Sequence, residues 1–490
     1  MIAKSETSQP SPPVKTPHAP RRIARKAISA AYYDAANAAP INSAHWSGAT
    51  TVDAGAAIRG SLVTLRNRAR REVANNSIAR GLVDTQVAYI VGTGPKLQIS
   101  TQDADLDTFI ENAWAKWSQH CDLTGQMCLA DMIGQWVRQD HECGESLTLM
   151  TSDQAGDGPV TLRLETIEPD RLETPYKLYN DEGVRDGVRY DASNRPTRYF
   201  IAKAHPGDTT AGAAGLWGEY IELPAQFVIH QFEATRPNQG RGVPRLAPAL
   251  HTLGLMRDLN IAAITAAKRA ASISGALETA DPSVDPDGDQ SQDEFDEIEL
   301  PEDALLVLPY NRKLSQVKAE HPTSNHAAII ASYLNDAARC LNMPYNIAAC
   351  NSSGYNYSSG RLDHQSYFRW VGCYRCRLEF AALRRILTAF LRELAYTRPI
   401  RNIASIVATA QWFWQGFGFI DPATEAKAQG LRLANRTSTL AREYAEQGRD
   451  WERDLRQIAR EQALLRELGL TPEQAQPAEA GQQNEGQDDA

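Results

Sequence analysis

The chain has 490 residues, 42% hydrophobic and 23% charged, enough to bury a real core divided among several domains. A formal net charge of −9 and an isoelectric point near 5.7 exclude a protein whose whole surface grips nucleic acid, because tight phosphate binding needs clustered Lys and Arg. The cysteines, Cys121, Cys128, Cys143, Cys340, Cys350, Cys373 and Cys376, are odd in number and scattered through apolar segments, which fits buried thiols in a reducing compartment better than a disulfide framework.

Residues 1–26, rich in Pro, Ser and basic side chains, read as a disordered arm. Arg21, Arg22, Arg25 and Lys26 imitate the start of a signal peptide, but AISAAYYDAANAAP behind them is too polar and small for its apolar core. From Ala56 to Val91 the apolar residues Leu62, Leu65, Val73, Ile78, Leu82 and Val83 predict helix, closed by a turn at Gly92-Thr-Gly-Pro95. Further helices are expected at 105–119, with Leu106, Ile110, Ala113, Trp114 and Trp117 on one face, and at 129–142.

After Gly144-Glu145 the period changes from 3.6 to 2. SLTLM, VTLRLETIE, VRY, RYFIA, EYIEL and FVIHQF alternate between turn residues and predict an antiparallel region over 146–233. Gln239-Gly-Arg-Gly-Val-Pro244 interrupts it. An Ala-rich helix then runs to about Leu277, its small residues permitting close helix approach. Its longest apolar stretch, LNIAAITAA at 259–267, is far shorter than the roughly 20 residues that span a bilayer, so no membrane partner is expected.

Composition then shifts abruptly. Asp285, Asp287, Asp289, Asp293, Glu294, Asp296, Glu297 and Glu299 fall together without one Lys or Arg, followed by the short strands ALLVL and LSQVK. Such a run is either a solvated face or an acidic rim beside a polyanion or basic partner. A helix from Asn325 through Leu341 ends at Met343-Pro344, and a small-residue loop follows, Asn351, Ser352, Ser353, Gly354, Tyr355, Asn356 and Tyr357. The loop feeds a long helix whose buried stripe is Tyr367, Trp370, Val371, Tyr374, Leu378, Ala382, Ile386, Leu387, Phe390, Leu391 and Leu394. Arg361, Arg369, Arg375, Arg377, Arg384 and Arg385 fall largely outside that stripe. ASIVATAQWFW after Arg398 reads as a strand, 423–447 and 449–468 as charged helices, and 471–490 as a disordered acidic tail.

Chemistry is hard to place on this sequence. GTGPK at 92–96 lacks the spacer and ending of a phosphate loop, and HECGES at 141–146 lacks the second His of a zinc helix. Cys373-x-x-Cys376 sits in mid-helix without a second pair, and Ser352, Ser353, Ser358 and Ser359 lack the Gly-flanked elbow of a nucleophile. No catalytic residue, cofactor or metal is expected.

Six stretches together resemble the lambda-type phage portal proteins: 65–98, the WAKW and GE elements at 114–117 and 144–145, QGRGVPRLAPAL at 239–250, LNMPYNIAACNSSGYNYSSGR at 341–361, and GFGFIDPATEAKA at 416–428. The resemblance runs from about residue 55 to 450. It implies a predominantly helical α+β fold: an α/β wing from 27–240 and 342–396, stem helices at 241–271 and 321–341, a small α/β clip at 272–320 and a helical crown at 397–470. It also implies a ring, dodecameric by expectation, at one capsid vertex of a virion assembled in the bacterial cytoplasm. Double-stranded DNA would be pumped through it by a separate terminase, whose large subunit docks on it, and would later leave by the same path. Head-completion or connector proteins and the major capsid or scaffold protein are the other implied partners.

Within that frame, loop 350–357 would line the tunnel, with the long helix 358–395 behind it. Arg257, Lys268 and Arg269 are candidate channel-facing cations, and the acidic run at 285–299 lies in the clip. The alternatives are a head or tail adaptor of a phage, or a phage-derived hydrolase.

Overall fold

The structure, a computed structural model, describes residues 44–153, 158–210, 212, 215–271, 275–279, 312–316, 325–417 and 422–470. Two compact units divide the chain at Asp53. In the first, the described residues form a single helical turn followed by irregular chain, with the rings of His45 and Trp46 edge to face.

The second unit opens with three helices: α1 (Ala54–Arg59), α2 (Leu62–Asn75) and α3 (Ser77–Val91). The one helix expected over 56–91 is therefore interrupted. Asn76 adopts an extended backbone, and its side chain accepts from the Ile78 amide at 2.9 Å, so it ends α2 and caps α3 in one residue. At the far end Gly92 and Gly94 take positive φ, and the turn they make delivers β1 (Lys96–Gln98). The next helices are α4 (Ala104–Trp117), capped by Asp103 onto the amides of Asp105 and Leu106, and α5 (Leu129–Glu142). Both bury the faces that their spacing marks: Ile110, Trp114 and Trp117 on one, Met132, Ile133, Trp136 and Val137 on the other.

The period-2 region forms two antiparallel sheets. One has β2 (Glu145–Ser152) between β3 (Leu162–Ile167) and a later strand; the other orders β4 (Val184–Arg185), β5 (Val188–Tyr190), β6 (Pro196–Ala202) and β7 (Tyr220–Pro224). The later strand is β8 (Val228–Phe232), and Leu147 of β2 faces Ile167 and His230 across the two ladders. Leu147, Leu149, Ile167 and Val228 of the first sheet and Val188, Tyr199 and Ile201 of the second close a small separate core.

A long helix follows, α6 (Leu250–Ala271), and it ends earlier than the Ala-rich pattern predicts because β9 (Gly275–Thr279) pairs antiparallel with β10 (Arg312–Gln316). The ALLVL segment and the acidic run at 285–299 lie outside the described residues. Helix α7 (His326–Arg339) returns against α6, and α8 (Tyr345–Ala348) is a single turn. The 22-residue α9 (Tyr357–Leu378) then passes through a π-helical turn at Glu379–Leu383 into α10 (Arg384–Leu394).

These helices supply the main core. Every stripe residue named above is buried except Trp370, which is half-buried. Arg375 departs from its expected surface position. Its guanidinium is buried and donates to the carbonyls of Ile90, Tyr89 and Gln415, against the rings of Trp414 and Phe417.

The ASIVAT stretch is a helix, α11 (Ile403–Thr409), and not a strand; only β11 (Gln411–Phe413) behind it is extended, pairing with β1. Its single buried contact, Ile406, sits on one helical face while the rest of the segment is largely exposed, so β-branched content misled the reading. The charged region splits into α12 (Pro422–Ala434), α13 (Leu440–Glu446) and α14 (Trp451–Glu467), with Arg436 at positive φ between the first two. No helix among the described residues is long and apolar enough to cross a membrane.

Candidate functional site

The small-residue loop is held at both ends and open between them. Asn346 is buried, and its side-chain amide meets Nε2 of His364 on α9 at 3.0 Å; its carbonyl accepts from the Asn351 amide at 3.1 Å. Cys350 turns the chain outward at φ 48°. Asn351 Oδ1 then accepts from the Ser353 amide at 2.9 Å, and the Ser352 carbonyl from the Tyr355 amide at 3.1 Å, an Asx turn followed by a β-turn. Asn356 closes the loop by capping α9 through the Ser359 amide at 2.8 Å.

Between these fixed points Asn351, Ser352, Ser353, Gly354 and Asn356 are exposed and Tyr355 is half-buried. Tyr357 begins α9, its side chain outside the described residues. The loop therefore presents hydroxyls and amides without a single charge, tied at its two ends through Asn346 and Asn356. Behind it, Tyr367 packs edge to face on Tyr89 with centroids 5.2 Å apart, and Phe368 stacks on Phe417 at 3.8 Å.

The three candidate channel cations differ in setting. Arg257 pairs with Glu72 of α2 at 3.2 Å while remaining half-exposed. Lys268 is exposed near the end of α6, and the Arg269 side chain lies outside the described residues. The acidic run is flanked by β9 and β10, the outermost described elements of that segment.

A buried ionic anchor, missed by the sequence reading, joins the GE and QGRGVPR elements at the base of α6. A Cβ on Gly144, which has φ 85°, would lie 2.2 Å from the Val243 carbonyl carbon, and one on Gly242 would lie 1.9 Å from the Gly144 oxygen. Only glycine at both places lets these backbones touch. The contact brings Glu145, wholly buried, against Arg66 at 2.5 Å and Arg241 Nε at 2.8 Å, with the Gly242 amide at 2.7 Å and His230 Nε2 at 3.1 Å. Burial pushes the Glu145 carboxyl up, but Arg241 and Arg66 hold it well below the usual carboxylate range. Arg241 also donates to the carbonyls of Pro169, Leu172 and Asp186, tying both sheets to this point.

A second node forms around Asp140, near the C-terminal end of α5. Asp140 accepts from Arg245 Nε at 2.5 Å and from the Tyr374 hydroxyl at 2.8 Å, and Arg245 and Arg377 both reach Glu233. Burial acts against its charge, yet the carboxyl is held down by Arg245. Burial drives neighbouring His141 to about 4, so the ring is neutral, its Nδ1 on the Val137 carbonyl at 2.7 Å. His141 is thus a neutral residue of the core. The sequence signal for both nodes was charge placed inside apolar or Gly-rich motifs: Glu145 after Gly144, Arg241 between two glycines.

The remaining reactive groups are already committed. Glu168, Asp170 and His205 come close together, but Asp170 is paired with Arg70, and His205 accepts from the Gly207 amide through Nδ1 while Nε2 faces Glu168 at 2.8 Å. All seven cysteines are free; Cys350, Cys373 and Cys376 are exposed, against the expectation of buried thiols. Among the described residues the arrangement offers polar surface and buried charge clamps; the Cys128 thiol, which donates to Asp131 at 3.1 Å, belongs to the cap of α5.

Comparison with known proteins adds the family. The model described as "Phage portal protein, lambda family" matches residues 42–375. The chain is 25% identical over 456 residues to the "Probable portal protein" of Halomonas phage phiHAP-1, spanning 87% of this chain and 85% of that protein. It is 22% identical over 457 residues to "Portal protein B" of Escherichia phage lambda, spanning 83% and 85%. Among solved structures, a chain from the "Neck of empty GTA particle computed with C6 symmetry" aligns over 76% of this chain and 89% of its own length at 13% identity, with a TM-score of 0.46.

Proposed function

The chain belongs to the lambda family of phage portal proteins, and we propose that it assembles head to tail into a ring at one capsid vertex, through which a separate motor moves double-stranded DNA inward and from which the genome later leaves. One chain repeated about an axis makes a channel when its rotation closes, with no additional part. The ring would be the docking platform for the large terminase subunit during filling and for head-completion proteins afterwards, with the capsid or scaffold protein around its rim.

One observation carries this reading: a loop, 351–356, that is exposed at every residue but the half-buried Tyr355, uncharged, and tied at both ends beside a long helix. DNA carries one charge per about 1.7 Å of axis, and a wall rich in Lys and Arg would release counterions and hold it. A duplex passes a wall of hydroxyls and amides with weak, replaceable contacts. Arg257, Lys268 and Arg269 on the stem, and the acidic clip residues Asp285 to Glu299, are assigned the channel lining on the same logic: few cations among many carboxylates.

The test is the variant Tyr355→Ala with Tyr357→Ala. Ring assembly is expected to survive while packaged genome per particle falls. Unchanged packaging in a correctly assembled ring would remove the loop from the DNA path.

A further inference from the structure

We infer that the outer stripe of α9 and α10 is the surface that each copy presents to the acidic face of the next copy in the ring; the inference rests on the ring reading above and names the contact within it. The stripe consists of Leu362, Ser366, Arg369, Cys373, Cys376, Phe380 and Arg384, spaced alternately four and three residues apart up to Phe380, and every one of them is exposed. Leu362 is 66% and Phe380 74% exposed, large apolar side chains that this chain alone leaves in water. Phe380 projects from the π-helical turn, which changes the helix phase between its two halves.

The charge on this stripe has one sign. Arg361, Arg369 and Arg384 are exposed there, and no exposed residue between 358 and 384 is acidic. Among the described residues Arg361 and Arg369 form no ion pair. Arginine beside Phe and Leu, without Lys or Glu, is the composition of a protein contact centre and not of an ordinary solvated helix face.

A head-to-tail ring needs a second, different surface complementary to the first. The chain has one. Glu111, two turns into α4, lies near Asp107 of the same helix and near Asp450 and Glu452 at the start of α14, and burial together with these three carboxylates pushes its own up. Asp105 is exposed in the first turn of α4, and Glu452 also pairs with Arg456 at 3.3 Å. Carboxylates that disfavour one another's charge within one chain are relieved by arginines from outside it. Apolar thiols and Phe380 supply the dry centre of such a contact, and the arginines supply register.

The test uses the full chain and two charge-reversed variants, Arg361→Glu with Arg369→Glu, and Asp105→Arg with Glu452→Arg, measured by native mass spectrometry over a concentration series. Each variant alone is expected to need at least about tenfold more protein to form rings, because like charges then face each other. Mixed together, the two variants are to recover heteromeric association, since each carries one reversed face. Unaltered thermal unfolding of the separate variants shows that the protomers remain folded. If the wild-type chain forms rings and both variants do so at the same concentration, this contact is overturned and the ring stands. If each variant fails and the mixture does not recover, the pairing of these two faces is wrong. A wild-type chain that never associates would sink the ring itself.

Discussion

The anchor at Glu145 and the loop at 351–356 handle polarity in opposite ways. The first takes a carboxylate, two guanidiniums and an imidazole almost entirely out of water and gives each a partner. The second keeps its polar groups in water and carries no charge. Removing ions from water costs several kcal/mol each and is tolerable only with near-complete pairing, so the anchor has essentially one geometry. The exposed loop has little to lose from any single change. The contrast teaches where full pairing is needed: at the base of α6, where charge is buried, and not in the loop before α9, whose polar groups stay in water.

The largest expected effect breaks the anchor. Glu145→Ala leaves Arg66 and Arg241 buried without their counter-ion and is expected to cost about 3–5 kcal/mol in chemical denaturation. A cost under about 1 kcal/mol would show that water enters this site and that the contrast is false. Gly144→Ala comes next, because its φ of 85° and the 2.2 Å approach to Val243 force the two backbones apart. Its expected cost is about 2–4 kcal/mol, read in the same unfolding experiment.

Acidification probes the same region more gently. His141 titrates near 6.5 when unfolded and is pushed down to about 4 by burial in the fold, so the unfolded chain binds the extra proton first. Its contribution is complete above pH 6.5 and is lost as pH falls towards 4, about 3 kcal/mol in all. Asp140 and Glu145, whose folded carboxyls are depressed, add their loss only below the ordinary carboxylate range. His141→Gln is expected to flatten the stability profile between pH 6.5 and 4; an unchanged slope would assign it to other groups. The smallest effect belongs to the loop: Ser352→Ala and Ser353→Ala, at exposed positions, should shift stability by less than about 0.5 kcal/mol.

Much of this architecture was readable from spacing alone. Helix α5 begins and ends at the expected residues, and the alternation from Ser146 to Phe232 did become paired strands, because each has one buried face to repeat. The break at Asn76 was hidden inside a continuous apolar pattern, since one side chain capping one amide leaves periodicity untouched. Helix α11 was misread because Ile403, Ile406 and Val407 favour strands in general, while here only one of them is buried. The ionic anchor was illegible for a deeper reason: its members lie up to 175 positions apart, from Arg66 to Arg241, and an acid or arginine gives no sequence sign of being buried. The loop is legible in its composition, but the contact of Asn346 with His364 that ties it joins residues 18 apart across a turn, which no spacing rule pairs.

Electron microscopy of the purified chain tests the central claim most directly. The account predicts closed, rotationally symmetric rings with an open centre, and the loop beginning at Asn351 facing that opening. A compact monomer at every concentration, or a ring with this loop on its outer rim, would contradict it.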